Sequence, residues 1–140
     1  MKKVALIVTA CLLSTVWAQA EPYYQSFEQT TANLGLSGEY ESTVFDVTNY
    51  KTVDVNVSAD QDSATDGLKI NFVRVLGNCS SFTPSASNMD YTANGSGWSY
   101  TASSKDSYSG SVRGNCAWVT YTNGTTAQTS FELTIFGTIK

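Results

Sequence analysis

Trp118-Val119-Thr120-Tyr121-Thr122-Asn123-Gly124 and, a few residues on, Phe131-Glu132-Leu133-Thr134-Ile135-Phe136 decide the fold of this 140-residue chain. In the second run Phe131, Leu133 and Ile135 alternate with Glu132 and Thr134. A period of two places apolar side chains on one face of a strand and polar ones on the other. The first run leads into Asn-Gly, a strong turn signal between strands. The spacing predicts a β-hairpin, part of a ribbon from Ser107 to Phe136 against which the remaining strands pack.

Outward from the ribbon the same period recurs. Val53, Val55 and Val57 alternate without error against Asp54, Asn56 and Ser58. Glu39 to Val47 sets Thr43, Phe45 and Val47 on one face and ends in a Thr48-Asn49-Tyr50 turn. Asp60 to Gly67 reads as a polar corner, after which Leu68, Ile70 and Phe72 alternate with Lys69 and Asn71. Val73 and Val75 take the opposite parity, as a bulge near Phe72 or burial of both faces would require. Gly77 to Gly97 is a long loop whose length marks it as functional or variable. Trp98, Tyr100 and Ala102 then resume the sheet pattern. About seven or eight short strands separated by turn residues predict an all-β domain, a single antiparallel β-sandwich of jelly-roll type over residues 38–140.

Residues 1–20 have the form of an export signal. Lys2 and Lys3 supply the positive start, Val4 to Val16 the apolar core and Ala18-Gln19-Ala20 the cleavage site. Val8-Thr9-Ala10-Cys11 offers an alternative lipoprotein-type cleavage at Cys11. No later apolar run is long enough to span a bilayer. The expectation is a secreted or surface-associated protein, bacterial in origin. Cleavage leaves about 120 residues, enough for one domain with a modest core. It also removes two of the 8 basic residues and none of the 12 acidic ones, taking the formal net charge from −4 to −6. An acidic surface with basic residues placed singly along the chain has no footprint for nucleic acid.

Cys79 and Cys116 are the cysteines that survive cleavage. In an oxidising compartment they predict a disulfide; unbridged or intermolecular thiols are the competing reading. A bridge closing a loop of about 38 residues adds roughly 3 to 4 kcal/mol through loop entropy.

The chain contains no His, which removes the commonest general base and the usual zinc and copper ligands. Glu39 and Glu41 share a strand face as paired glycosidase acids do, but nothing nearby separates their acidities, and such a pair is more often a solvated edge. Asp60, Asp62 and Asp66, ending at Gly67, offer oxygen ligands at alternate positions and form a candidate calcium site; acidic turn residues are the bland alternative. Trp98 and Tyr100, with Tyr91 and Tyr108 nearby, are a candidate aromatic platform for a sugar, against a reading in which Trp98 is core. Asn56, Asn78, Asn94 and Asn123 head N-x-S/T sequons of the kind an Asn-, Ser- and Thr-rich chain contains by chance.

Two stretches resemble a known family. Phe45-Asp46-Val47-Thr48-Asn49-Tyr50-Lys51-Thr52-Val53, continuing through Val57-Ser58-Ala59-Asp60-Gln61, is similar to the opening of a β-sandwich domain of bacteriophage and large-virus structural proteins. Tyr121-Thr122-Asn123-Gly124 with Ala127-Gln128-Thr129-Ser130-Phe131-Glu132-Leu133 is similar to that domain's close. The resemblance implies one copy from about Gly35 to the C-terminus, with a non-enzymatic role in assembly or attachment and no catalytic residues.

Residues 21–37 form a leading arm that carries Tyr23, Tyr24, Phe27, Leu34 and Leu36, more apolar side chains than an idle linker needs. Such an arm adds a strand to a sheet edge, either its own or a neighbour's. The functional expectation is a structural, filament, matrix or attachment module whose partner is another copy or another surface protein. The alternative is a carbohydrate-binding module with glycans as ligand, and a small hydrolase is a third reading.

Overall fold

The structure is a computed structural model that describes residues 24–102 and 105–140. The segment expected to be an export signal, with Cys11, lies outside the described residues. Among the described residues nine strands are formed: β1 (Tyr24–Thr30), β2 (Glu39–Glu41), β3 (Phe45–Asp46), β4 (Tyr50–Ala59), β5 (Ser63–Val73), β6 (Tyr91–Thr92), β7 (Lys105–Ser111), β8 (Cys116–Asn123) and β9 (Phe131–Ile139). The only helical turn among the described residues is a 3-10 turn at Cys79–Ser81. Two antiparallel sheets face each other: β1-β9-β4-β7, and a second in which β8 lies between β5 and the short strands β2 and β3, with β6 beyond β5.

Alternation places the core between the sheets. Val53, Val55 and Val57 of β4 and Leu133 and Ile135 of β9 face Leu68, Ile70 and Phe72 of β5 and Val119 and Tyr121 of β8, all essentially inaccessible to water. At about 1.5 to 3 kcal/mol for each large apolar side chain withdrawn from water, these central strands supply most of the driving force.

The opposite parity at Val73 comes from burial of both faces. Val73, Cys79, Cys116 and Trp118 form a second cluster on the outside of the β8 sheet, with Val44, Val75, Phe82 and Met89 packed against it. The long loop from Gly77 covers this cluster, with Phe82 5.6 Å from Trp118. Its start is tied down by the Cys79–Cys116 disulfide, across a Cα–Cα distance of 5.5 Å.

The hairpin expected at Asn123-Gly124 is not formed. β8 and β9 lie in different sheets, and the connection crosses the end of the sandwich. Neither residue has the positive φ that a two-residue hairpin turn of this type requires. Asn123 is buried instead, and its Nδ2 donates to the carbonyls of Leu34, Gly35 and Thr126. The tight Asn-Gly turn is Asn94-Gly95, where both residues have positive φ and the Gly95 N–H bonds to Thr92 O.

Other boundaries shift for local reasons. The expected strand from Glu39 to Val47 is split at Ser42, whose Oγ accepts the Val119 N–H at 2.9 Å and replaces a rung of the ladder. The polar corner is shorter than expected, because β5 begins at Ser63 and carries an irregularity between Ser63 and Leu68. Trp98 makes an isolated bridge to Leu68 rather than opening a strand.

Candidate functional site

β1 closes one edge of its sheet by pairing antiparallel with β9, from Tyr24 opposite Thr138 to Thr30 opposite Leu133. The register shifts between Ser26 and Glu28, so Phe27 is the extra residue of a bulge. The bulge turns Phe27 into the gap between the sheets. Its ring stacks on Phe45 at 4.4 Å and 11°, and meets Tyr50 edge-on at 4.8 Å. Gly137 of β9 makes the socket: a Cβ there would lie 2.5 Å from Tyr50 Cδ1 and 2.7 Å from Phe27 Cζ.

Glu28 provides the polar half of the dock. Its Oε1 accepts from Tyr40 Oη at 2.7 Å, and its Oε2 from the Thr43 N–H at 2.9 Å and Thr43 Oγ1 at 2.8 Å. Partial burial acts to raise the Glu28 carboxyl, but the hydrogen bonds from Tyr40 and Thr43 outweigh it and hold the group below its ordinary value. Burial first, and then the Glu28 carboxylate, push the Tyr40 hydroxyl well above the usual phenol range. Tyr50 Oη and Gln25, and Gln29 Nε2 and Glu132, add exposed bonds along the same edge.

Yet β1 contributes no fully buried residue: Phe27, Glu28 and Thr30 are half-buried and its other four residues exposed. The fully buried core belongs mainly to β4, β5, β8 and β9. β1 is thus an edge element held by one ladder, the half-buried Phe27 ring and Glu28 carboxylate, and exposed contacts of Tyr24, Gln25 and Gln29. Elements of this kind open at low free-energy cost relative to the core.

The aromatic residues singled out in the sequence fall in three places. Tyr100 is 1% exposed; its Oη donates to Ala59 O and accepts the Ala59 N–H, both at 2.9 Å, so it is a core residue. Trp98 and Tyr108 are half-buried against the main core and inclined at 49° to each other. Burial and the Asp106 carboxylate raise the Tyr108 hydroxyl above its ordinary value. Tyr91 lies exposed under the Arg113 guanidinium, 5.2 Å from the ring centre. Tyr100 therefore has no exposed face, and the Trp98 and Tyr108 rings are not coplanar.

The three aspartates are engaged in turns. Asp60 accepts from the Thr129 Oγ1 at 2.6 Å and from the Thr129 and Ser130 N–H groups, which lower its carboxyl to about 2. Asp62 Oδ1 takes the Ala102 N–H at 2.6 Å. Asp66 adopts φ 52°, a conformation Asp tolerates better than most residues. Among the described residues no three His, Cys, Asp or Glu side chains come together to hold a metal. Glu39 and Glu41 stand exposed on β2, opposite Thr122 and Thr120.

No protein-family model matches the chain, and no curated protein matches it. Among solved structures it is similar to a chain described under "Bacillus endospore appendages form a novel family of disulfide-linked pili", at 14% identity and a TM-score of 0.37, covering 96% of this chain and 100% of that one. A likeness of that order carries no argument about function. The resemblance of two stretches to a viral sandwich domain has no family match beside it, and a β-rich sandwich is what the two share. Among the described residues no helix is long and apolar enough to cross a membrane.

Proposed function

We propose that this is an exported, non-enzymatic β-sandwich subunit that works outside the cell by assembling with copies of itself into a filament, matrix or attachment structure. The observation that carries this reading is the character of β1, a seven-residue edge strand without a fully buried side chain, seated on the nine-residue β9 through a socket that fits Phe27. If β1 leaves, β9 becomes an open edge with an unfilled aromatic pocket. The β1 of a second copy has the chemistry to fill it, with main-chain bonds giving affinity and Phe27 and Glu28 giving register. Residues 31–33 lie between β1 and the Leu34 and Gly35 carbonyls that hold Asn123, and at about 3.3 Å per residue they give a hinge of roughly 10 Å.

The non-enzymatic part is supported by the absence of His from the whole sequence and by the use of the shifted side chains. Glu28, Asp60, Tyr40 and Tyr121 are engaged in hydrogen bonds that hold the fold. The test is electron microscopy and light scattering of the exported protein, alongside a variant lacking residues 21–32, which keeps the Leu34 and Gly35 carbonyls bonded to Asn123. Strand exchange predicts that the deletion leaves a folded domain that no longer assembles. A full-length protein that stays monomeric at high concentration would overturn the reading.

A further inference from the structure

We infer that the two ends of the sandwich dock head to tail, the basic end of one copy on the acidic end of the next; this rests on the assembly reading above and gives it a direction. Lys51 lies at the start of β4, Arg74 just beyond β5, Arg113 just after β7 and Lys140 after β9, so the antiparallel strands bring all four exposed side chains to one end. They are four of the six basic residues that follow the export signal. The acids at this end are Asp46 and Asp90, and Asp90 Oδ2 already accepts the Arg74 backbone N–H at 2.8 Å.

The opposite end carries Asp60, Asp62 and Asp66 in the β4–β5 connection and start of β5, with Asp106 and Glu132 at the adjoining strand ends and Lys105 as the base placed there. A chain that is negative overall thus has a positive end and a strongly negative one.

Each end also presents an apolar side chain. Leu76 is 106% exposed at the basic end. It does not sit on a loose loop: Asn115 Oδ1 accepts the Val75 N–H at 2.8 Å and Asn115 Nδ2 donates to Val75 O at 3.0 Å. Gly77 follows with φ 124°, and Cys79 is bridged to Cys116. A projecting leucine held this way loses little freedom on docking.

At the acidic end Leu36 is 69% exposed, near a groove of about 680 Å³ lined by Ser37, Asp62, Thr65, Asn123, Gly124 and Thr125. Asn123 Oδ1 is a buried acceptor without a hydrogen-bond partner. Arginine supplies donors in a fork suited to a carboxylate, and the groove supplies Asp62. The occupant with the matching charge, donors and apolar anchor is the basic end of a second copy. Contacts between two different patches of the same chain propagate as an open filament when the rotation between copies does not close a ring.

The experiment is sedimentation velocity on the mature exported protein at 20 mM and 500 mM NaCl, with Arg74→Glu/Arg113→Glu, Asp62→Lys/Asp66→Asn and Leu76→Ser variants whose folding is checked by thermal melting. Wild-type association is expected to weaken at least tenfold at high salt. Each variant is expected to lose at least tenfold at low salt. An equimolar mixture of the two charge variants is expected to recover association, because each then meets a partner of opposite charge, a recovery that misfolding cannot produce. Wild-type assembly that is insensitive to salt, or charge variants that assemble normally or fail to rescue each other, would overturn the end-to-end contact while leaving strand exchange standing. A wild-type protein that never associates would overturn both.

Discussion

Phe27→Ala isolates the docking of β1 from the stability of the sandwich. Truncating a fully buried Phe costs about 3 to 5 kcal/mol. Phe27 is only half-buried, but its stacked contact with Phe45 and edge contact with Tyr50 carry about 0.5 to 1.5 kcal/mol each. About 2 kcal/mol therefore falls on the closed state of β1, roughly a 30-fold rise in its opening constant. Hydrogen exchange of the mature protein reads this directly. Amides of β1, and those of β9 bonded to it, should lose protection by that factor, while amides in the β4–β7 and β5–β8 ladders keep theirs. Gly137→Ala should also raise β1 opening from the opposite strand, because its Cβ would press on the Phe27 ring as well as on Tyr50 at the start of β4. A loss shared equally by β4, β5 and β8 would refute the reasoning, since β1 would then be part of one cooperative core. Unchanged protection in β1 would show that the ladder alone holds the strand.

Three further outcomes are expected. Replacing Cys79 and Cys116 by Ser should cost about 3 kcal/mol and lower the melting temperature by roughly 10 °C, and unreduced mass spectrometry should show no free thiol in the native protein. Asp60 titrates lower in the folded state than its ordinary value of 3.8, so its contribution is fully present above about pH 4 and lost as pH falls towards 2; in acid melts, Asp60→Asn should flatten the stability curve across that window. Chelator should leave the melting temperature unchanged, because the Asp60 carboxylate is occupied by Thr129 and Ser130; a rise on adding calcium would restore the aspartates as a metal site.

The strands were legible wherever one face is buried and the other wet. Val53, Val55 and Val57, and Leu133 and Ile135, follow that rule. β8 obscures it, because Trp118 and Cys116 on its outer face are covered by the loop after Gly77, and no local pattern announces a lid brought back from so far along the chain. The Asn-Gly signal occurs twice, and its local chemistry is the same in both places. Tertiary bonds decide between them: Asn123 is held by carbonyls of Leu34 and Gly35, nearly ninety residues away, while Asn94 has only near neighbours and takes the left-handed turn.

The candidate sites divide along the same line. The spacing of Tyr100 to Trp98 suggests a platform residue, yet its hydroxyl satisfies both backbone groups of Ala59, a role visible only once the corner after β4 is folded. The sandwich ends were harder still to foresee. Lys51, Arg74, Arg113 and Lys140 stand singly in the sequence, each beside a strand boundary, and their charges look dispersed. Antiparallel pairing inverts that impression: strands running in opposite directions bring the start of β4 to the same end as the finish of β5, β7 and β9. Charge read along the chain therefore reports a featureless acidic protein, whereas charge read along the strand axis reports two unlike ends, and only the second quantity bears on how one copy meets the next.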